Sequence, residues 1–301
     1  MELWIPFSIA AGFLQNLRSA LQKHLTGKLS TNGAAYSRFI FAMPIAIAYV
    51  VLLNRAGGYA IPAVSPQFLL YCTLGGISQI MFTVFLLWLF SFKSFAVGTS
   101  YSKLEVLMVA ILGALLLGDT LSYIGSLAIV LASVGVVALS IGKQAISVNA
   151  FLVGFSHRST WIGLACAVWL GGSVVFFRGA ALSLGDVPFL MAAAFALMVS
   201  VMIQSALMGV YLVLREPGEL TRVFINWRWT GAAGIAGAFA SIAWFTAFTL
   251  HNASYVRAVG QIELLFTFIA SVFFFREKVT ATEVAGIVLI TVGILLLMIY
   301  G

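Results

Sequence analysis

Charge is what this 301-residue chain has least of: Asp, Glu, Lys and Arg make up 8% of it. A soluble domain carries about 25%. So small a polar fraction cannot cover a water-facing surface, and the chain is expected to face lipid. Cysteine is nearly absent too. The two present, Cys72 and Cys166, both fall in apolar runs, which points to small packing residues and not to a disulfide or metal pair. His24, His157 and His251 are scattered with no metal-ligand spacing. There is no GxxxxGK[ST] loop for ATP phosphates, no HExxH and no GxSxG. These absences argue against an ATP-driven pump and against an enzyme, and no cofactor or metal is expected. The net charge of +7 is spread through short loops and forms no basic domain, so nucleic acid is not an expected partner.

What remains is apolar text: 62% of residues are hydrophobic. A hydrocarbon core roughly 30 Å thick needs about 20 apolar residues per helix, and the apolar runs are long and continuous, unlike alternating barrel strands. Ten spans are predicted, at 3–25, 33–53, 66–90, 95–117, 120–142, 159–182, 187–214, 229–250, 253–275 and 280–300. The breaks carry turn and charge signals: TGKLSTNG at 26–33, Gly57, Gly58 and Pro62, Gly118-Asp119-Thr120, REPGELTRVFINWR at 215–228, and Arg276-Glu277-Lys278. The start from Leu3 runs straight into the first span behind an acidic Glu2, unlike a cleavable leader.

The chain also matches itself. Glu105 and Glu263 are 158 residues apart, and Asp119 with Glu277 and Gly135 with Gly293 share that offset. SYSKLEVLMVAILGALLLGDTL thus stands against AVGQIELLFTFIASVFFFREKV. Two repeats follow, 1–145 and 146–301, each of five spans. Five is odd, so the halves should enter the membrane in opposite directions. The fold class expected is an all-α integral membrane protein of ten helices in two inverted repeats, a common secondary-transporter architecture.

At this point a family resemblance is visible. The stretch SFAVGTSYSKLEVLMVAILGALLLGDTLSYIGSLAIVLASVGVVAL, and its second copy from Ala253 through GILLLM, resemble the last two spans of an EamA-type repeat of the drug/metabolite transporter superfamily. Arg38, near the start of span two, stands where that family commonly has an arginine. The resemblance implies export or exchange of small organic metabolites through a cavity walled by spans 1, 3, 4, 6, 8 and 9, with spans 5 and 10 peripheral. This chain departs from the family in one respect. Where many members carry proline near the middle of spans four and nine, it has Glu105 and Glu263.

A charge at the bilayer centre costs about 2.5–3.5 kcal/mol even on the lenient insertion scale. Glu105 and Glu263 each lie roughly 15 Å from the start of a predicted span. Each shares a polar or small face: Gly98, Tyr101 and Ser102 with Glu105, and Gly260 and Thr267 with Glu263. A second face holds Thr99 and Lys103 in one span and Arg257 and Gln261 in the other. One face should line a cavity and the other meet a neighbouring helix. The glutamates can be read as a proton- or cation-carrying pair, or as partners neutralising Lys103, Arg18, Arg178 or Arg257 in a buried network. Gln15 and Arg18, with Gln22, form one polar face of span one. Gln79 and Gln204 are lone amides suited to interhelical or substrate contact. Trp244, like Trp88 and Trp169, can stack on a ligand or pack.

The functional expectation is a secondary transporter, exporter or exchanger, of a small polar organic metabolite such as an amino acid or amine. It would work by alternating access, proton-coupled through Glu105 and Glu263. The substrate-binding or coupling candidates are Glu105, Glu263, Lys103, Gln261, Arg18, Gln15, Tyr101, Gln79, Arg178, Trp244 and Arg257. The alternatives are a translocator of lipid or a lipid-linked metabolite, or an integral membrane enzyme. The expected setting is a bacterial inner membrane, with small-molecule substrate and lipid as partners and the chain as monomer or homodimer.

Overall fold

The computed structural model describes residues 2–25, 28–89, 102–143, 158–273 and 279–300. Among them the architecture is all-helical: α1 (Trp4–Leu25), α2 (Thr31–Arg55), α3 (Pro66–Leu89), α4 (Glu105–Leu117), α5 (Tyr123–Lys143), α6 (Arg158–Leu182), α7 (Phe189–Arg215), α8 (Glu219–Ile225), α9 (Trp227–Leu250), α10 (Ala253–Gly260), α11 (Ile262–Phe273) and α12 (Ala281–Tyr300). Seven of these, α2, α3, α5, α6, α7, α9 and α12, are long and apolar enough to cross a membrane. Among the described residues most predicted breaks and observed helix ends agree to within a few residues; the break at Arg276-Glu277-Lys278 and the start of the predicted span at 95–117 lie outside them. The differences are informative. The short α8 lies inside a predicted loop. The predicted span at 253–275 is two helices, α10 and α11, parted at Gln261. In the predicted span at 95–117, a turn at Lys103 and Leu104 precedes α4.

Those two interruptions are equivalent, since Lys103 and Gln261 are 158 residues apart. Around Gln261 the backbone tightens: its N–H donates to Ala258 O at 3.1 Å, and Leu264 N–H donates to Gln261 O at 2.9 Å. These i→i+3 bonds are the 3₁₀ geometry that lets a helix bend without losing its hydrogen bonds. Each interruption leaves a glutamate in the first turn of the helix that follows, Glu105 on α4 and Glu263 on α11. Negative charge there complements the positive end of the helix dipole.

The chain divides into two compact units. One comprises Met1–Ile80 and Ser173–His251, and the other Met81–Gly172 and Asn252–Gly301. This is a different division from the sequence repeats, because each unit takes helices from both.

In the first unit α1 packs on α9, and α9 and α7 both pack on α2. Trp4, Ser8, Ala11, Gln15 and Arg18 recur at alternating intervals of four and three, placing them on one face of α1. Of the five, all but the half-buried Gln15 are buried. An apolar core of Phe68, Phe177, Met191, Phe195, Leu197 and Phe245 fills the interior beside them.

In the second unit α5 and α12 form the most extensive pairing, and glycine is what allows it. A Cβ on Gly135 would lie 2.7 Å from Gly286 O and 2.8 Å from Ile290 N. A Cβ on Gly293 would lie 2.7 Å from Ala128 O and 2.9 Å from Ala132 N. The two backbones therefore touch at these points, the close approach that small residues permit between apolar helices. Residues early in α5 meet residues late in α12, so the two helices run antiparallel. Cys72 and Cys166 are free and buried, as packing residues would be.

Candidate functional site

In the second unit the polar residues converge on Glu105. Arg257 and Gln261 are four residues apart and so share a face at the end of α10. The Arg257 guanidinium forms an ion pair with the Glu105 carboxylate. The Gln261 side-chain amide donates to the same Glu105 oxygen at 3.4 Å. All three are buried, with exposures of 6% for Glu105, 3% for Arg257 and 4% for Gln261. All eight residues of α10 are buried, so Arg257 reaches Glu105 from within packed protein. A charge so placed is stable only when paired and hydrogen-bonded, and Glu105 receives both kinds of partner. Of the cations that could have neutralised it, the structure selects Arg257. The second polar face of the predicted span nine is thus the one that meets a neighbouring helix.

Glu263 and Lys103 are half-buried beside the two interruptions. Tyr101 lies outside the described residues. A residue not anticipated from the sequence, Tyr255, helps hold α10 in place. Its hydroxyl lies 3.3 Å from Ser122 Oγ and accepts from Ser122 N–H at 3.2 Å, at the start of α5. An aromatic residue with a polar tip in an apolar span was the available signal.

The other candidates lie in the first unit. Gln15 accepts from the Trp244 indole N–H at 3.1 Å, and Trp244 stacks on Phe248 with ring centres 5.4 Å apart. Trp4 stacks on His251 at 4.6 Å. Trp244 and Gln15 thus contribute to the α1–α9 contact. Arg178 donates to Phe248 O at 2.6 Å and also to His251 O. These carbonyls lie at the C-terminal end of α9, where backbone acceptors have no partner within the helix and a cation is favoured. Arg178 therefore caps α9.

Gln204 donates to Gln79 Oε1 at 2.8 Å and to Gly76 O at 3.4 Å, so the two lone amides meet each other. They line a small cavity with Arg38, Phe39, Ser241 and Phe245. Its free volume of about 10 Å³ is room for about one water. Arg38 is buried, and it was not among the expected site residues. Its position seven residues into an otherwise apolar helix was the signal.

Seven helices long and apolar enough to cross a membrane, with buried charges among them, define a multi-pass membrane protein. Residues 158–299 match the sequence profile of the EamA-like transporter family. The EamA resemblance is thereby borne out over residues 158–299, and the chain is a multi-pass membrane protein. That family is one of transporters and not of enzymes. No curated protein matches. One solved structure, titled only as the crystal structure of a protein, superposes with a TM-score of 0.71 over 99% of this chain and 96% of its own, at 18% identity. The fold is therefore one already seen in a crystal.

Proposed function

We propose that the chain is a secondary transporter, an exporter or exchanger of a small polar organic metabolite, working by alternating access in a bacterial inner membrane. Ten spans in two inverted five-helix repeats form its frame, with α10 and α11 together making span nine.

The observation that carries this reading is the glycine contact between α5 and α12. Adding 158 to Gly135 yields Gly293, and subtracting it from Gly286 and Ile290 yields Ala128 and Ala132. Each glycine thus touches the residues equivalent to those touched by the other. Such reciprocity supports a local two-fold axis, and between antiparallel membrane-spanning helices an axis of that kind has the symmetry of inverted repeats. The paired interruptions at Lys103 and Gln261 support the same reading, because interrupted helices commonly supply transporter ion and substrate sites.

Glu105 and Glu263 serve as the coupling pair. Glu105 is held by Arg257 and Gln261 in the state described, and proton or substrate binding would compete with that ion pair. Solute uptake into proteoliposomes, with and without an imposed pH gradient, tests the assignment. Wild-type flux should respond to the gradient, and Glu105→Gln and Glu263→Gln should each reduce flux strongly while remaining inserted. Unaltered flux in both variants across pH would remove the coupling role.

A further inference from the structure

We infer that the end of the first unit built from α8 and the α1–α2 turn is a docking surface for anionic phospholipid headgroups, held by the charges of Arg215, Arg222, Arg228 and Lys28. It requires only that α7 and α9 cross the membrane, for which both are long and apolar enough, and it is independent of the transport reading.

The segment joining those two helices, residues 215–228, carries three arginines and two glutamates, so its charges nearly cancel in sequence. The fold separates them. Glu216 accepts from Ser30 Oγ and from the Asn32 side-chain amide, and Glu219 accepts from Ser30 N–H. Both carboxylates are thus drawn onto the start of α2, where they complement the positive end of its dipole. Glycine at position 33 leaves the room: a Cβ there would lie 2.8 Å from Glu219 Cγ. The three arginines and Lys28 are exposed instead. Arg222 does reach Glu219, at 3.6 Å, yet its side chain remains 67% exposed. What this end presents outward is therefore positive.

Apolar side chains share the same surface. The buried Val223 fixes α8 against its neighbours, and Thr230 Oγ1 donates to Val223 O at 2.9 Å. Phe224, Ile225, Trp227 and Trp229 are left exposed, Ile225 at 71% and Trp227 at 61%. Lys28 Nζ lies 5.9 Å from the centre of the Trp229 ring, and Arg228 Cζ lies 5.9 Å from that of Trp227. Indoles with cations against them suit the headgroup layer, where a ring meets acyl chain and a charge meets phosphate. The patch begins where α7 ends and closes where α9 starts, so that layer is what it meets. Its sign selects the anionic lipids there, by about fivefold for each Lys or Arg near the surface.

The opposite end of the unit differs. Residues 54–66, after α2, and 183–188, before α7, hold Arg55 and Asp186 as their only charges and contain no tryptophan. Anionic lipid should therefore gather at one end of this unit and not at the other.

The test uses the full chain in phosphatidylcholine nanodiscs holding a minor fraction of brominated lipid, either phosphatidylglycerol or phosphatidylcholine. Bromine on the acyl chains quenches tryptophans beside it. The part of the quenching that belongs to Trp227 and Trp229 is isolated by difference from the double variant Trp227→Phe, Trp229→Phe. Brominated phosphatidylglycerol should quench these two indoles several-fold more effectively than brominated phosphatidylcholine at the same fraction. Arg222→Gln should lower that preference about fivefold, and the triple variant Arg215→Gln, Arg222→Gln, Arg228→Gln should abolish it. Arg222→Lys, which keeps the charge, should keep it. Arg55→Gln removes the same charge from the opposite end and should leave it unchanged. Should the triple variant fail to insert, high salt acting on wild type takes its place, since screening must reduce the preference. The inference is overturned if the two brominated lipids quench alike, or if the preference survives both the triple variant and high salt. Loss of the preference in Arg55→Gln would also overturn it, by assigning the effect to net charge and not to this surface.

Discussion

Arg257 and Glu105 form a buried ion pair between α10 and the first residue of α4, beside the two helix interruptions of the second unit. Gln261, at one of the interruptions, donates to the same carboxylate. The pair therefore links the two places where helical regularity is lost.

A double-mutant cycle measures this link. Removing one partner leaves a buried charge uncompensated, so Arg257→Gln should destabilise the protein by about 3–5 kcal/mol. Adding Glu105→Gln should recover much of that loss. Denaturant unfolding in detergent reads the coupling, and strictly additive single effects would show that the pair does not act as a unit.

The glycine contact makes a matched prediction. Gly135→Ala and Gly293→Ala each place a methyl against the partner helix's backbone, which cannot yield as a side chain does. Each should cost about 1–3 kcal/mol, the range for overpacking, and the two losses should be similar. Gly231→Ala on α9, whose nearest neighbour atom would be 3.9 Å away, should instead be neutral or stabilise by up to about 1 kcal/mol through helix propensity. Thermal unfolding of the three variants decides it.

Arg178 provides a test of capping against transport. Arg178→Met removes a charged donor to the Phe248 and His251 carbonyls and should cost about 1.5–3 kcal/mol. Hydrogen exchange should rise first around the end of α9. An unchanged melting temperature with lost flux would instead place Arg178 in the transport path.

Orientation follows from loop charge. In the proposed ten-span arrangement both termini lie on one side. The opposite side carries Lys23, Lys28, Arg38, Lys93, Lys143, Arg158, Arg215, Arg222, Arg228, Arg276 and Lys278, and the terminal side only Arg55 and Arg257. Short-loop Lys and Arg stay in the cytoplasm, so both termini should lie outside it. EamA-type proteins often keep them inside, which makes the measurement decisive. A C-terminal reporter fusion should be active in the periplasm, and cytoplasmic fluorescence without periplasmic activity would refute the assignment.

The limits of most spans, the 158-residue offset and the two glutamates were legible in the sequence. Each rests on local properties: apolar run length, turn residues, and polar residues where lipid penalises them. The helix interruptions were less legible, because Lys103 has no proline or glycine beside it, Gly260 beside Gln261 read as part of a small face, and only packing reveals the 3₁₀ tightening. The sequence left four cations as partners for a glutamate, and the packing of α10 on α4 selected Arg257 for Glu105. It likewise grouped Arg178 with the coupling candidates, whereas the fold brings its guanidinium to the end of α9, seventy residues away. Arg38 read as an arginine common to the resembled family and as one charge in the loop tally until α1, α2 and α9 brought it beside Arg18 on Gly237. Hydrophobic content and periodicity place a chain in the membrane and divide it into helices, because they act within one turn or one span. Which charge meets which carboxylate or carbonyl depends on how those helices pack, and only the tertiary structure decides that.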